Sequence, residues 1–256
     1  MEKIELKYSG IRVDSFTDII TAFGKSEFKS HTRSTVPFLQ FWRRPAERLR
    51  ELASHLKINV GDSAVFDFEH KVPVVKGKGR PSHTDLKVIS DYFSLTIEAK
   101  YLESRYDTCN KWLKDTKTPE NKKLVLEGWI DLLNEAATSK ISLNDVQELP
   151  YQVIHRAASA CHDPKDKRVL IYQLFDADEK KRNMYLDDLK KLSELMGKDS
   201  KISVYYVDCL IDKTTLWREL SKKWRDGARD LSSETIAGLK NGDLIKTKFN
   251  EVIRVQ

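Results

Sequence analysis

Long apolar runs are missing from this chain. No stretch approaches the ~20 residues needed to span a bilayer, and no charged-then-apolar leader is read. A cytoplasmic protein with no membrane partner is therefore expected. Cysteine is scarce: Cys109, Cys161 and Cys209 are odd in number, widely spaced and never in a C-x-x-C pair. That argues against a disulfide framework and against a zinc knuckle. Gly77-x-Gly79 is not followed by the rest of a dinucleotide-binding pattern and no P-loop is present, so no nucleotide cofactor is expected. Internal repeats and low-complexity runs are also absent. The 256 residues fit one domain, or one domain with an appendage, with ample chain for a substantial core.

Charge of both signs is abundant. Lys and Arg number 45 and Asp and Glu 39, a net charge of +6 with a pI near 9.0. The excess is modest but favours a polyanionic partner, because neutralising phosphates releases counterions. Carboxylate-x-Lys triplets arise by composition in such a chain, as at Glu5-Leu6-Lys7, Glu27-Phe28-Lys29, Glu120-Asn121-Lys122 and Asp188-Leu189-Lys190. The triplet Glu98-Ala99-Lys100 differs in its context.

That context is strand periodicity. Leu86 and Val88 alternate with Asp85, Lys87 and Ile89, while Phe93, Leu95, Ile97 and Ala99 alternate with Ser94, Thr96, Glu98 and Lys100. A two-residue loop at Asp91-Tyr92 sets Asp85 opposite Glu98, with Lys100 on the same face. Opposed Cβ atoms lie roughly 5 Å apart, near enough for two carboxylates to share a cation. A one-residue slip would undo the arrangement. The alternative is an exposed strand face whose charges pair across the hairpin. Two features favour a metal site instead. Like charges directly opposed are unfavourable unless neutralised, and the basic loop Lys76-Gly77-Lys78-Gly79-Arg80 leads straight into Asp85.

The arrangement resembles the PD-(D/E)XK nuclease superfamily, in particular its restriction-endonuclease-like members. Pro81 and Asp85 stand for the "PD" element, four positions apart rather than adjacent, and Glu98-Ala99-Lys100 matches the "EXK" element. The resemblance covers about residues 38–210. It implies an α/β fold with an αβββαβ core, a mixed central sheet flanked by helices, and catalysis by Asp85, Glu98 and Lys100. Asp85, Glu98 and the Ala99 backbone carbonyl would hold Mg2+, with Mn2+ as a substitute, and Lys100 would orient or activate the attacking water. The implied activity is a type II-like restriction endonuclease cutting double-stranded DNA as a homodimer. A repair or phage-defence nuclease of the same fold would look the same in sequence. A nucleic-acid-binding protein that kept the fold without cleavage, and an interaction protein whose hairpin merely pairs charges, are the alternatives.

The flanking sequence fits that order. Phe38, Phe41, Trp42, Leu49, Leu52, Ala53 and Leu56 recur at helical spacing from Pro37 onward, and Ala64 to Glu69 reads as a strand. After the hairpin come a helix from Leu149 to Cys161 with Pro150 in its first turn, a buried strand over 169–175, a helix near 184–196 and a strand over 202–207. Residues 102–147 form a helical insertion with Leu126, Trp129, Ile130 and Leu133 on one side of a helix, either a contact for nucleic acid or a second subunit, or a cap on a sheet edge. A helical, basic tail is expected over 211–256, with Ser232 or Ser233 capping a short helix and a turn at Asn241-Gly242.

Auxiliary site candidates are Glu69, Glu51, Gln152 and Arg156. Glu47 and Glu51 lie almost opposite the apolar helix stripe and are expected to pair with neighbouring arginines. Candidate nucleic-acid contacts are Lys76, Lys78, Arg80 and His83, together with Lys222 and Lys223, which lie among Trp217 and Trp224. His155 is read as structural.

Overall fold

Period-2 alternation builds most of the core into a single sheet. The computed structural model describes residues 3–30, 33–115, 117–163, 165–242 and 244–255. Strands β1 (Lys3–Tyr8), β2 (Ile11–Val13), β3 (Ser63–Val72), β4 (Ser82–Ser90), β5 (Ser94–Lys100), β6 (Arg168–Phe175), β7 (Ile202–Lys213) and β8 (Ile245–Val255) pair in the order β2-β1-β3-β4-β5-β6-β7-β8. The sheet is mixed. β1–β3, β5–β6 and β6–β7 are parallel, and the remaining pairs are antiparallel.

Each face of the sheet carries its own core. Phe66, Phe68, Leu86, Val88, Leu95, Ile97 and Ala99 point to one side. There they meet helices α1 (Phe16–Ala22), α2 (Thr35–Phe41) and α3 (Pro45–Leu56), and the C-terminal helices α8 (Thr215–Arg225) and α9 (Ser232–Asn241). Leu170, Tyr172, Leu174, Val204 and Tyr206 point to the other side. That side is covered by α5 (Pro119–Asn134), α6 (Tyr151–Cys161) and α7 (Glu179–Met196), with the short α4 (Cys109–Lys114) beyond them. The chain is thus an α/β protein with a mixed eight-stranded sheet between helical layers. The order α3, β3, β4, β5, α6, β6 runs through its centre. Cys109, Cys161 and Cys209 are free and buried. Among the described residues no helix is long and apolar enough to cross a membrane.

Several sequence expectations are corrected. The helix expected through Pro37–Leu56 is two helices, broken at Trp42–Arg44. Pro45 lacks an N–H and begins α3, and Arg44 before it is pushed out of the helical region (φ −117°, ψ 73°). All the apolar residues of the expected stripe are nevertheless buried. The tail is not wholly helical. β7 continues to Lys213, and residues 245–255 form β8, which covers the otherwise open edge of β7. Leu231 occupies the N-cap of α9 and Ser232 bonds to Asp230 instead. Gly242 closes α9 in the left-handed conformation, φ 81°. The insertion's helix, α5, packs on α6 rather than on a sheet edge. The β1–β2 hairpin was not anticipated. It turns through Ser9-Gly10, both at positive φ, as a two-residue loop requires.

Candidate active site

Register places the site. β4 and β5 pair as Leu86 with Ile97, Lys87 with Thr96, Val88 with Leu95 and Ile89 with Ser94, the register expected from a loop at Asp91-Tyr92. β3 and β4 pair as Phe68 with Leu86 and His70 with Thr84. Continuing both ladders by one step aligns Glu69, Asp85 and Glu98 in one row across three strands. The pairing opens at that row. Glu69 takes a left-handed conformation, φ 52°, and β4 leaves β5 after Leu86. The Asp85 carboxylate enters the gap, where Oδ2 accepts the Ala99 N–H at 2.6 Å. A strand residue directs its N–H and C=O to the same neighbour, so the Ala99 carbonyl faces this gap as well.

Helix α6 closes the site from above. Gln152 and Arg156 lie four apart on its buried face, one above the other. Glu98 Oε1 accepts from Lys100 Nζ at 2.7 Å and from Gln152 Nε2 at 2.8 Å, and Oε2 accepts from Arg156 Nε. Arg156 Nη1 donates to Ser82 Oγ at 2.7 Å, tying the start of β4 to the same helix. Glu98, Lys100, Gln152 and Arg156 are all buried, while Asp85 and Glu69 are half-buried.

The carboxylates fall into two electrostatic classes. Burial pushes the pKa of Glu98 up, but Arg156 and Lys100 outweigh it and hold the group below the ordinary carboxylate range. Asp85 is pushed well above that range by burial, with Glu98 and Glu69 adding repulsion. Glu69 is pushed up to about 7 by burial, with Glu98 adding and Arg156 opposing. Burial lowers the pKa of Lys100, but Glu98 and Asp85 overcome this and raise it, so Lys100 stays an ammonium. Neighbouring acids whose environments drive their pKa values apart are suited to different roles.

The donor set suits a hard divalent cation. Among the described residues no group of three or more His, Cys, Asp or Glu side chains forms a ready-made cage. Mg2+ commonly takes only one or two carboxylates and keeps several waters. A carboxylate offers about four acceptor positions. Glu98 has three protein donors, which leaves one position on Oε2. Among the described residues only Oδ2 of Asp85 receives a donor. Burial and the neighbouring carboxylates disfavour the ionised forms of Asp85 and Glu69, a penalty that a bound cation would relieve.

The other candidates fall in different places. Glu51 lies on α3, across the sheet, and pairs with Arg48 at 2.6 Å; Glu47 pairs with Arg44 at 3.4 Å. Neither joins the cluster. His83 Nδ1 is 3.4 Å from Glu69 Oε2, at the edge of the site. Lys76, Lys78 and Arg80 are exposed in the 73–81 loop. Lys76 forms an ion pair with Asp131, and the Lys78 backbone is held on both sides by the Asn121 side chain. Lys222 and Lys223 are exposed on α8, over the sheet's opposite face, with Lys223 paired to Glu234 at 3.3 Å. Trp217 is buried in that core and Trp224 packs against it.

The sequence did not single out Ser82 or the site-facing role of His155. Ser82 Oγ lies 2.9 Å from His155 Nδ1. Tyr172, the ladder partner of both Glu98 and Tyr206, was also missed. Among the described residues its hydroxyl and those of Tyr185 and Tyr206 are buried without a hydrogen-bond partner. Spacing four apart on α6 was the available signal for Gln152 and Arg156, whereas Ser82 and Tyr172 gave none.

A family model matches residues 12–220, spanning the whole site, and its description is Domain of unknown function (DUF6946). The chain belongs to this family. No curated protein and no solved structure matches it.

Two measurements probe this electrostatic arrangement. Arg156→Leu should destabilise the fold by about 3–5 kcal/mol, because it strands a buried carboxylate. Adding Glu98→Gln to that variant should recover part of the loss, as read by urea midpoints. The second concerns Glu69, whose folded pKa of about 7 exceeds its ordinary 4.5. Between those values the folded chain keeps a proton that the unfolded chain has released. The contribution of Glu69 to stability should therefore be largest below about pH 4.5 and fall as pH rises to about 7. Relative to Glu69→Gln, wild type should lose on the order of 2 kcal/mol across that window. A constant difference between the two stability curves would contradict the assignment.

Proposed function

We propose that this protein is a divalent-cation-dependent endodeoxyribonuclease with a restriction-endonuclease-like core. One observation carries the reading: Asp85 and Glu98 lie beside Lys100 where the sheet opens, with Glu69 in the same row. The order α3, β3–β5, α6, β6 supports it, as does the net charge of +6.

Asp85, Glu98 and the Ala99 carbonyl would hold Mg2+ or Mn2+. When bound, the cation supplies a water of lowered pKa and neutralises charge building on the phosphoryl oxygens. The protein's own groups do the rest. Lys100 remains protonated and held by Glu98, so it acts as a donor that positions the attacking water or the scissile phosphate, not as a general base. Glu69, in the same row, is the acid available to exchange a proton with the leaving oxygen through water. Arg156 fixes Glu98 and adds positive charge behind the reacting phosphate. Cutting both strands of a DNA duplex with one such site per chain calls for a homodimer. Restriction, repair and phage defence are equally served by this chemistry.

A second reading, nucleic-acid binding without cleavage, has one observation in its favour: Lys100, Gln152 and Arg156 already occupy most of the acceptor capacity of Glu98. Activity separates the two. Incubated with supercoiled plasmid and Mg2+, wild type should nick or linearise it, and EDTA should abolish the effect. Asp85→Ala, Glu98→Ala and Lys100→Ala should each reduce the rate by about 10²-fold or more. Identical behaviour of all four proteins would remove the hydrolytic reading.

A further inference from the structure

The parallel strands β5, β6 and β7 end toward the same rim of the sheet, and ligands of open α/β sheets bind in crevices outside such carboxyl ends. Lys100 ends β5 there, bonded to Glu98. Tyr101, the next residue, belongs to the core on the opposite face, its ring centroid 6.5 Å from that of Trp217 on α8. β7 continues past its pairing with β6 to Lys213, and α8 follows. A cavity of about 380 Å³ lies between these parts, and its wall includes Tyr101, Lys213, Trp217, Arg218, Trp224 and Arg225. It begins at the residue after Lys100 and extends to the end of β7, two strands away, roughly 10 Å at the ordinary strand spacing.

The charge on this wall has one sign. Lys213, Arg218 and Arg225 are exposed, and no Asp or Glu among the described residues lines the cavity. Glu219 and Asp226 neighbour these cations in sequence but are not part of the wall. Among the described residues none of the three cations forms an ion pair. By contrast, Arg33, Arg44, Lys76 and Lys111 each hold a carboxylate, and Lys223 of α8 holds Glu234. Lys222 is a fourth exposed cation without an ion pair, four residues after Arg218 and three before Arg225, so all three share one flank of the helix. Behind them Tyr101 and Trp217 are buried and Trp224 packs on the same core. A cleft of one charge sign with low-dielectric walls focuses its field. Arg218 and Arg225 are two turns apart, roughly 10 Å along the axis. The charge is therefore a row rather than a point, which fits a chain of phosphates better than a single anion.

We propose that this cavity and the adjoining flank of α8 hold the phosphate backbone of the nucleic-acid substrate, on Lys213, Arg218, Lys222 and Arg225. This rests on the nucleic-acid substrate of the proposed function and adds its course: the backbone crosses the carboxyl end of the sheet from Lys100 on β5 toward the end of β7. It also divides the cations of α8, leaving Lys223 to its ion pair with Glu234.

Binding is read in EDTA, apart from cleavage, by fluorescence anisotropy of a labelled DNA duplex over a series of NaCl concentrations. Lys213→Ala/Arg218→Ala/Arg225→Ala should weaken binding by about tenfold or more and make the slope of log K against log salt shallower by about two to three. Lys190→Ala/Lys191→Ala/Lys198→Ala, which removes three exposed lysines in the last turns of α7 and just beyond, should change affinity by less than about threefold. Should the first variant unfold, Arg218→Glu alone, a single exposed change, is expected to weaken binding by about tenfold. Equal weakening by the two triple variants, or wild-type binding by the first, would overturn the proposal. At constant ionic strength inorganic phosphate should leave duplex binding unchanged; displacement would mark a small-anion site and overturn it as well. Plasmid cleavage by the first triple variant with unchanged kcat/KM sinks this inference alone. Duplex binding that this variant loses, with no Mg2+-dependent cleavage by wild type, sinks the hydrolytic reading and leaves the cavity's role standing. Absence of duplex binding by wild type sinks both.

Discussion

Glu98 is a carboxylate removed from water in the middle of a sheet, and much of the surrounding architecture answers that constraint. An isolated buried charge is prohibitively costly. Here Arg156, Lys100 and Gln152 supply three charge-assisted or polar donors. The same bonds fix the seat of α6 on β5, hold the Lys100 ammonium at the strand end, and through Ser82 anchor the first residue of β4. With β4 drawn toward α6 there, its ladder to β5 stops at Leu86 and Asp85 turns into the gap. The ion cluster and the opening in the sheet are thus two aspects of one arrangement.

The cluster leaves its charges unevenly satisfied. Two cations serve Glu98, while Asp85 and Glu69 sit near it with less compensation, and both have raised pKa values. A fold selected for stability alone would gain by replacing such acids with apolar groups of similar volume. Acids placed along one row beside an ammonium are the pattern expected where a cation and a phosphate meet. The left-handed backbone at Glu69 adds a local cost, typically 1–3 kcal/mol for a non-glycine residue, at the same spot.

Much of this was legible in the sequence, for physical reasons that differ from element to element. The hairpin register followed from side-chain parity, because a slip of one residue would have turned Thr96 and Glu98 of β5 to the apolar face of Phe66 and Val88. The order of helices and strands through the centre followed from periodicity. Periodicity could not reveal the break at Pro45, since the apolar stripe continues across it, and the prolyl ring decides the matter locally. The strand over 245–255 was obscured by its lysines and by the helical pattern preceding it; it is an edge strand, half exposed, whose polar face hides the alternation. In the site, Gln152 and Arg156 were visible as a pair four apart, but their direction was not. The links from Ser82 to His155 and from Tyr172 to Glu98 depend on which strand lies beside which, and no local pattern encodes that.

The central claim is that the row containing Asp85 and Glu98 is a divalent-cation site. Mn2+ binding followed by electron paramagnetic resonance, with Mg2+ as competitor, tests it most directly. Wild type should show a saturable site that Mg2+ displaces, and Asp85→Asn should weaken it by about tenfold or more. Equal Mn2+ binding by wild type and Asp85→Asn, or none by wild type, would contradict the account.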